Sequence, residues 1–340
     1  MIRDAIATVV SGGSLDALEA SAVMKEIMDG EATPSQVAAF IVGLRMKGET
    51  PDEVAGLAMA MRSKSVHIDP GAELDTCGTG GDGSHSFNIS TAAAFVAAAA
   101  GVRVAKHGNR AMSSRCGSAD VLEALGVRLD MQPGDVERCI SDVGIGFLFA
   151  PTFHPAMKHA AGPRREIGVR TVFNILGPLC NPAEARAQLL GVPGSELVGT
   201  MAGVLQRLGC RRAMVVHGED GLDEITLSDE TTVCELRDGR LQHYSLTPAD
   251  FGLGPVSKDL IGGGAAEDNA VIMRGVLAGE PGPYLDVVLA NAAAALYVSG
   301  VESSVRAGTE TARKLVTSGQ ALARLEQLIR FSNSPAGVAA

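Results

Sequence analysis

Along residues 1–65 the apolar positions recur at helical spacing, and no strand-like alternation interrupts them. Leu15, Leu18, Ala22, Met24 and Ile27 mark one such face. Thr33-Pro34 sets an N-cap residue before a proline at the first helical position, and Val37, Phe40, Ile41 and Leu44 carry the apolar face onward. Thr50-Pro51 repeats the signal ahead of Val54, Leu57, Ala58 and Met61. A small helical domain is expected over residues 1–68. Val66–Leu74, with Asp69-Pro70-Gly71, reads as a turn and a candidate hinge.

From Leu74 the pattern alternates between short apolar runs and amphipathic stretches. A strand at Leu74 runs into a glycine loop (Gly78–Gly83) and an Ala-rich helix (Ile89–Ala100). A strand (Val102–Ala105), a polar loop, a helix (Ala119–Leu125) and a strand (Ile145–Ala150) follow. Ala187–Val192, a helix over Leu197–Leu208 and the strand Ala213–His217 continue the theme. Thr232–Arg237 and Leu241–Ser245 form a hairpin across Asp238-Gly239. The chain is helical from Asn269 to about Phe331, and no internal repeat is found. Such alternation predicts an α/β fold: a small N-terminal helical domain plus a larger α/β domain with a mostly parallel central sheet, residues 69–340.

Composition narrows the function. The 340 residues hold 29 Lys and Arg against 39 Asp and Glu, a formal net charge of −10. Phosphate backbones and anionic membranes repel such a chain at long range, so neither nucleic acid nor membrane is an expected partner. The longest apolar run, around Thr91–Val102, is too short to span a bilayer, and the first residues carry no secretion signal. Six scattered cysteines without a C-x-x-C pair read as reduced thiols of a cytoplasmic protein. Glycine stands at 41 of 340 residues, above the usual ~7%, and the excess points to functional loops.

The most informative stretch is Asp75–Thr91, DTCGTGGDGSHSFNIST. A strand runs into four glycines and then into the start of a helix, where Ser86, Asn88, Ser90 and Thr91 cluster. Glycines let backbone N–H groups approach an oxygen-rich ligand, and a helix N-terminus adds donors and partial positive charge, which suits phosphate. A plain turn needs only one or two glycines. Gly78-x-Gly80-x-x-Gly83 also fits the dinucleotide pattern, but the region where a ribose-holding acid belongs reads Val102-Arg103-Val104-Ala105-Lys106-His107. No G-K-[ST] follows, so the Walker pattern fails too.

Lys106–Ser114, KHGNRAMSS, adds cations and donors at the end of the next strand. Two loops at neighbouring strand ends can clamp one polyanion. His217–Glu224 carries adjacent carboxylates Asp223 and Glu224, whose repulsion a hard dication would relieve. Taken alone, that segment reads equally well as an acidic turn. In Gly162–Pro182, Arg164, Arg165 and Arg170 are candidates for a carboxylate ligand or for pairing Glu166. Gly177-Pro178 and Asn181-Pro182 read as turns. Phe147, Phe149 and His154–Lys158 are candidate walls of a flat apolar pocket, and Cys77 reads as a buried filler.

Taken in order, GTGGD at 78–82, NIST at 88–91, KHGNRAMSS at 106–114, GSADVLEALG at 117–126, RTVFNILGPLCNP at 170–182 and DGLDE at 220–224 resemble the anthranilate phosphoribosyltransferase family. The resemblance implies transfer of a phosphoribosyl group from 5-phosphoribosyl 1-pyrophosphate to the amine of anthranilate, with Mg2+, in tryptophan biosynthesis. It also implies a fold of the nucleoside phosphorylase/phosphoribosyltransferase class III type. It places pyrophosphate on Gly78, Gly81, Asp82 and the loop Asn88, Ile89, Ser90 and Thr91, with Ser86 beside them. It places ribose and phosphate on Lys106, His107, Gly108, Asn109, Arg110, Ala111, Met112, Ser113, Ser114 and Ser118. Magnesium would use Ser90, Asp223 and Glu224. Anthranilate would meet Asn109 and Arg164, with His107 nearby. A homodimer through the helices is implied, with part of residues 163–185 packing back on the helical domain. Cys116 departs from the family's usual serine. Pyrimidine nucleoside phosphorylases, which share the fold, carry K-H-S-G-R in place of KHGNR. A nucleic-acid-binding relative would sit poorly with the charge of −10.

The chemistry fits this resemblance. Breaking the ribose C1–O bond leaves charge on pyrophosphate and a cationic ribosyl centre. The aromatic amine is already neutral. No single general base is expected; Lys106, His107 and Arg164 would act by positioning and charge stabilisation.

Overall fold

The computed structural model describes residues 1–111 and 115–334. Met112, Ser113 and Ser114, expected in the phosphate loop, lie outside the described residues. The chain opens with α1 (Ile2–Val10), α2 (Ala17–Met28), α3 (Pro34–Lys47) and α4 (Pro51–Ser63). Thr33 and Thr50 each close a capping box, with Gln36 and Glu53, ahead of a proline at the first turn. Asp16 caps α2 in the same way, which sets that helix's phase. Its core face is Ala20, Val23, Met24 and Ile27, and Leu18, expected inside, is 76% exposed.

The α/β part runs β1 (Leu74–Gly78), α5 (Ile89–Ala99), β2 (Val104–Gly108), α6 (Ser118–Ala124), α7 (Pro133–Val143), β3 (Ile145–Phe149) and α8 (Ala150–Phe153). It continues through α9 (Lys158–Ile167), α10 (Phe173–Leu176), β4 (Ala187–Gly191), α11 (Ser195–Arg207), β5 (Arg212–Gly218), β6 (Thr231–Arg237) and β7 (Arg240–Leu246). Four helices end it: α12 (Ala266–Leu277), α13 (Pro283–Ser299), α14 (Val305–Thr317) and α15 (Gln320–Asn333). The hairpin across Asp238-Gly239 forms as expected. Helices α7 and α9 were not foreseen. Helix α9 carries Pro163 in its interior.

The sheet has seven strands in the order β3-β2-β1-β4-β5-β6-β7. Neighbours from β3 through β5 are parallel, and β6 and β7 join antiparallel. Strand β2 lies later than the apolar pattern suggested. It pairs Lys106 with Phe147 and His107 with Leu148, so these two polar residues sit in the sheet and not in the following loop. From β1 the chain crosses to β2 on one side, whereas β4 and β5 lie on the other. The strand order therefore switches between β1 and β4, where open α/β sheets form a crevice at their carboxyl ends.

Each face of the sheet has its own apolar core. Helices α5 and α12–α15 cover one face around Phe95, Val104, Met214 and Val288. On the other face Val54, Leu57 and Met61 share a core with Leu176, Leu179, Met201, Leu205 and Val215, so the first helices pack directly on the sheet and on α11. Helix α9 adds Ala160 to this second core. Residues 66–74 are pinned rather than free: Val66 N–H donates to Phe153 O at 2.8 Å, and Ile68 and Ala72 are buried. Among the described residues no helix is long and apolar enough to cross a membrane.

Candidate active site

A cavity of about 680 Å³ opens at the switch point. Gly78, Gly81, Asp82, Ser86, Asn88, Ile89, Ser90 and Thr91 line it from the glycine loop and the start of α5. Lys106, His107, Gly108, Asn109, Arg110, Ala111 and Ser118 line it from β2, the loop after it and α6. Arg164 enters from α9, and Asp223 and Glu224 from the loop after β5. The fold thus brings together every expected site residue that is described.

Hydrogen bonds explain this convergence. Asp223 Oδ2 accepts the Gly80 N–H at 2.7 Å, and Glu224 Oε1 accepts the Ser90 N–H at 3.1 Å. The carboxylate loop is thereby tied both to the glycine loop and to the first turn of α5. Thr76 Oγ1 donates to Ser90 O at 2.9 Å, which fixes the first turn of α5 against β1. Lys106 is buried, and its Nζ donates to Thr76 O at 2.6 Å. Asn88 does not cap α5. Its amide bonds Cys116 O at 3.2 Å and receives Asn269 Nδ2 at 3.0 Å. Ser118 is not a cap either. Gly117 holds that position, and Ser118 Oγ reaches Asn109 O at 3.5 Å.

Asp120 braces the second loop. Its Oδ2 accepts the N–H groups of Ala111 and Gly117, both at 2.8 Å, so one carboxylate ties Ala111 to the start of α6. Arg110 pairs with Asp120 and Glu123 and lies 5.8 Å from the centre of the Phe149 ring.

Electrostatics mark two regions. Burial, then Asp82 and Glu224, push Asp223 well above the usual carboxylate range. Burial raises Glu224 to about 7. Two crowded carboxylates that resist ionisation are what a cation relieves. Among the described residues no group of three or more His, Cys, Asp or Glu has metal-holding geometry. Two carboxylates and the Ser90 hydroxyl suit magnesium, which takes oxygen ligands and leaves further positions to water and substrate phosphates.

The other region is poor in partners. Arg164 is half-buried, desolvation lowers its guanidinium from the ordinary value, and it lies 4.9 Å from the centre of the Phe173 ring. Among the described residues no carboxylate pairs with it, Glu166 included. His107 and His154 lie with ring centres 5.0 Å apart, and the Nε2 atom of each is buried with no described partner. Burial and the neighbouring His154 hold His107 down at about 3, and burial holds His154 at about 4, so both rings are neutral.

Several expectations need correction. Phe147 belongs to the core and Phe149 packs beside it, so neither lines the cavity; His154, Pro155, Met157 and Lys158 do. Arg165 is exposed. His217 lies in β5, as the strand Ala213–His217 predicts, and its Nδ1 meets Val192 O at 2.9 Å. Cys77 touches the cavity, but burial keeps its thiol protonated. Sequence reasoning left Arg170 open between two readings, and it braces the glycine loop. Its Nη2 donates to Gly80 O at 2.9 Å, and a Cβ on Gly81 would lie 1.0 Å from Nη1. Thr79, Asn174, Gly177 and Pro178 also line the cavity. Only the last two had any signal, as a turn. Asn181, also read as a turn, donates to Asp75 Oδ2 and Ala105 O, both at 2.8 Å, and ties the segment after α10 to β1 and β2.

Residues 71–322 match the glycosyl transferase family a/b domain, and residues 3–65 match the helical bundle domain of the same family. The chain is 52% identical to the anthranilate phosphoribosyltransferase of Acetivibrio thermocellus, over 98% of this chain and 97% of that one. It superposes on the crystal structure of the Thermus thermophilus enzyme with a TM-score of 0.92 at 47% identity, covering 97% of this chain and 100% of the other. It superposes on the Saccharomyces cerevisiae enzyme in complex with PRPP and Mg with a TM-score of 0.90 at 28% identity, covering 98% of each chain. The yeast enzyme has also been solved in complex with 4-fluoroanthranilate, at a TM-score of 0.89 and 28% identity, covering 98% of each chain.

Proposed function

Because the chain belongs to the anthranilate phosphoribosyltransferase family, its reaction is the transfer of a phosphoribosyl group from 5-phosphoribosyl 1-pyrophosphate to the amine of anthranilate, in tryptophan biosynthesis, and we propose how its residues divide that work. The glycine loop, Asn88–Thr91, Lys106–Ser114 and Ser118 hold the donor. Arg164, Asn109 and His107 hold the acceptor. Asp223, Glu224 and Ser90 hold magnesium. The observation that carries the reading is the contrast inside one cavity: backbone donors and paired carboxylates at one end, and at the other a half-buried guanidinium with no carboxylate partner among the described residues.

Each group has a task. Backbone N–H groups of the glycine loop and the Lys106 ammonium face the place where charge grows as pyrophosphate leaves, and donors fixed in advance need no reorganisation when it does. Bound magnesium supplies further charge neutralisation of the departing phosphates. Arg164 offers a fork that matches the anthranilate carboxylate. His107 is neutral, so it orients the acceptor without repelling the cationic ribosyl centre. The amine needs placement more than deprotonation, and no general base is assigned.

Two wider readings complete the proposal. Val10, Leu18, Met46 and Met59 on α1–α4 are 69%, 76%, 83% and 46% exposed. We assign the helices that carry these exposed apolar side chains to contact with a second copy of the chain, which light scattering would report as a dimer mass. Six free thiols are in keeping with the cytoplasm. The defining experiment follows anthranilate fluorescence with protein, donor and magnesium. Loss of signal only when all are present, and its arrest by chelator, supports the proposal; turnover undiminished by chelator would remove the metal from it.

A further inference from the structure

Asp223 and Glu224 stand on an irregular loop between β5 and β6, and a loop keeps carboxylates in place only if something rigid holds its backbone. One side is held by close approach. Strand β4 ends in Gly191, and a Cβ there would lie 1.6 Å from the Asp223 carbonyl oxygen, so the loop rests on bare backbone. The rear is held by Asp220. Its Oδ1 accepts the Leu222 N–H at 3.2 Å and its Oδ2 accepts the Thr226 hydroxyl at 2.8 Å.

The third side is held from far along the chain. Asn291 lies in α13, between apolar neighbours and the run Ala292–Ala295, and is fully buried. Its Oδ1 accepts the Ile225 N–H at 3.0 Å, and its Nδ2 donates to Ile225 O, also at 3.0 Å. The amide thus offers Ile225 the donor and acceptor that a neighbouring strand would. The spare Nδ2 proton goes to Val287 O at 3.0 Å, so the side chain is well satisfied. Ile225 directly follows Glu224. In so apolar a helix an alkyl side chain would be cheaper to bury, since an amide must recover in hydrogen bonds what it loses in hydration.

We propose that Asn291 is a positioning residue for the divalent-cation site, holding the backbone of Ile225 so that Asp223 and Glu224 present their carboxylates to the cation and donor. The inference rests on the metal assignment above. Replacing Asn291 leaves the buried Ile225 N–H and C=O without their partner. The peptide then turns toward another one and carries Glu224 with it. Groups that orient metal ligands without touching the metal typically change affinity by about 10- to 100-fold.

The test measures binding of Mn2+, as a spectroscopic substitute for magnesium, by electron paramagnetic resonance in the presence of 5-phosphoribosyl 1-pyrophosphate. The proteins are wild type, Asn291→Leu, Asn291→Ser and the packing control Val288→Ala, whose apolar side chain is buried in the same helix and makes none of the loop's hydrogen bonds. The expected result is an Mn2+ dissociation constant at least tenfold weaker for Asn291→Leu, intermediate for Asn291→Ser and unchanged for Val288→Ala. Anthranilate binding, read by its fluorescence, stays within about twofold in all four. A wild-type Mn2+ constant in either Asn291 variant, whichever folds, overturns the proposal. So does equal weakening in Val288→Ala, which would make the effect one of packing. Wild-type protein that binds no Mn2+ with the donor present would overturn the metal assignment itself, and this proposal with it.

Discussion

At the donor end of the cavity most of the polar groups already have partners within the protein, the buried Thr79 hydroxyl excepted. Gly80 and Ser90 donate to Asp223 and Glu224, Arg170 holds Gly80 O, and Asp120 ties Ala111 to Gly117. At the acceptor end Arg164 lies over Phe173 without a described carboxylate, and His107 and His154 each bury an unpaired Nε2. On the proposed division of the cavity, the difference follows from the ligands. A flexible donor with three phosphate groups needs many hydrogen-bond donors held in a fixed array, since each group that had to reorganise would cost rate. A flat aromatic acid needs one fork for its carboxylate and a slot for its ring. One end is therefore a network and the other a few separate contacts. Substitutions should consequently spread through the first and stay local in the second.

The largest expected effect is at Gly81. Its φ of 81° disfavours any side chain, and a Cβ would collide with Arg170. Gly81→Ala should lower kcat/KM for the donor at least ~100-fold, about 3 kcal/mol, because the whole loop must shift. A loss under threefold would show that the loop is not held as a unit. Asp120→Ala comes next. It frees two backbone donors and the Arg110 pairing, so the donor KM should rise ~10- to 30-fold with little change in that for anthranilate. Equal rises in both constants would mean that the two ends are coupled through this loop.

A smaller effect concerns acid stability. His107 and His154 sit at about 3 and about 4 in the fold, below the ~6.5 of an unfolded histidine. Between these values the unfolded chain binds protons that the folded one refuses. Their contribution to stability is thus lost as pH falls below 6.5, by up to ~1.4 kcal/mol per pH unit for each. His107→Asn should make the fall of Tm between pH 6.5 and 4.5 shallower, and an unchanged slope would mean that the ring is already charged in the fold. The smallest effect belongs to Cys116, whose Sγ lies 3.5 Å from Asn88 Oδ1. Burial holds that thiol at about 11, so it stays a weak neutral donor. Cys116→Ser should lower the donor KM by ~2- to 5-fold, and titration of the donor against both forms would show it.

The same contrast explains what could be read in the sequence. The donor end is written in contiguous runs, because glycines, hydroxyls and paired acids must follow strand ends closely. Gly78–Thr91, Lys106–Ala111 and Asp223-Glu224 accordingly meet where the alternating pattern placed them. The acceptor end is assembled from distant pieces whose local pattern says little. Gly162 and Pro163 are poor helix formers, so α9, the helix that carries Arg164, has a weak helical pattern. The register of β2 was misread because buried Lys106 and His107 look like loop residues until Thr76 O and the neighbouring strands account for them. Leu18 was counted as core because the Asp16 cap, which sets the phase of α2, was not read. Asn291 shows no pattern at all, since its partner lies 66 residues away.

The central claim is that one cavity holds two substrates by separable means. Its most direct test is the pair of Michaelis constants for Asp223→Asn and Arg164→Ala, measured side by side. A charge-assisted pair is worth ~1.5–3 kcal/mol, so Arg164→Ala should raise the anthranilate KM ~10- to 100-fold and leave that of the donor within about twofold. Asp223→Asn should raise the donor KM and the magnesium requirement and leave anthranilate alone. If both substitutions move both constants together, the two ends are not separate and the account is wrong.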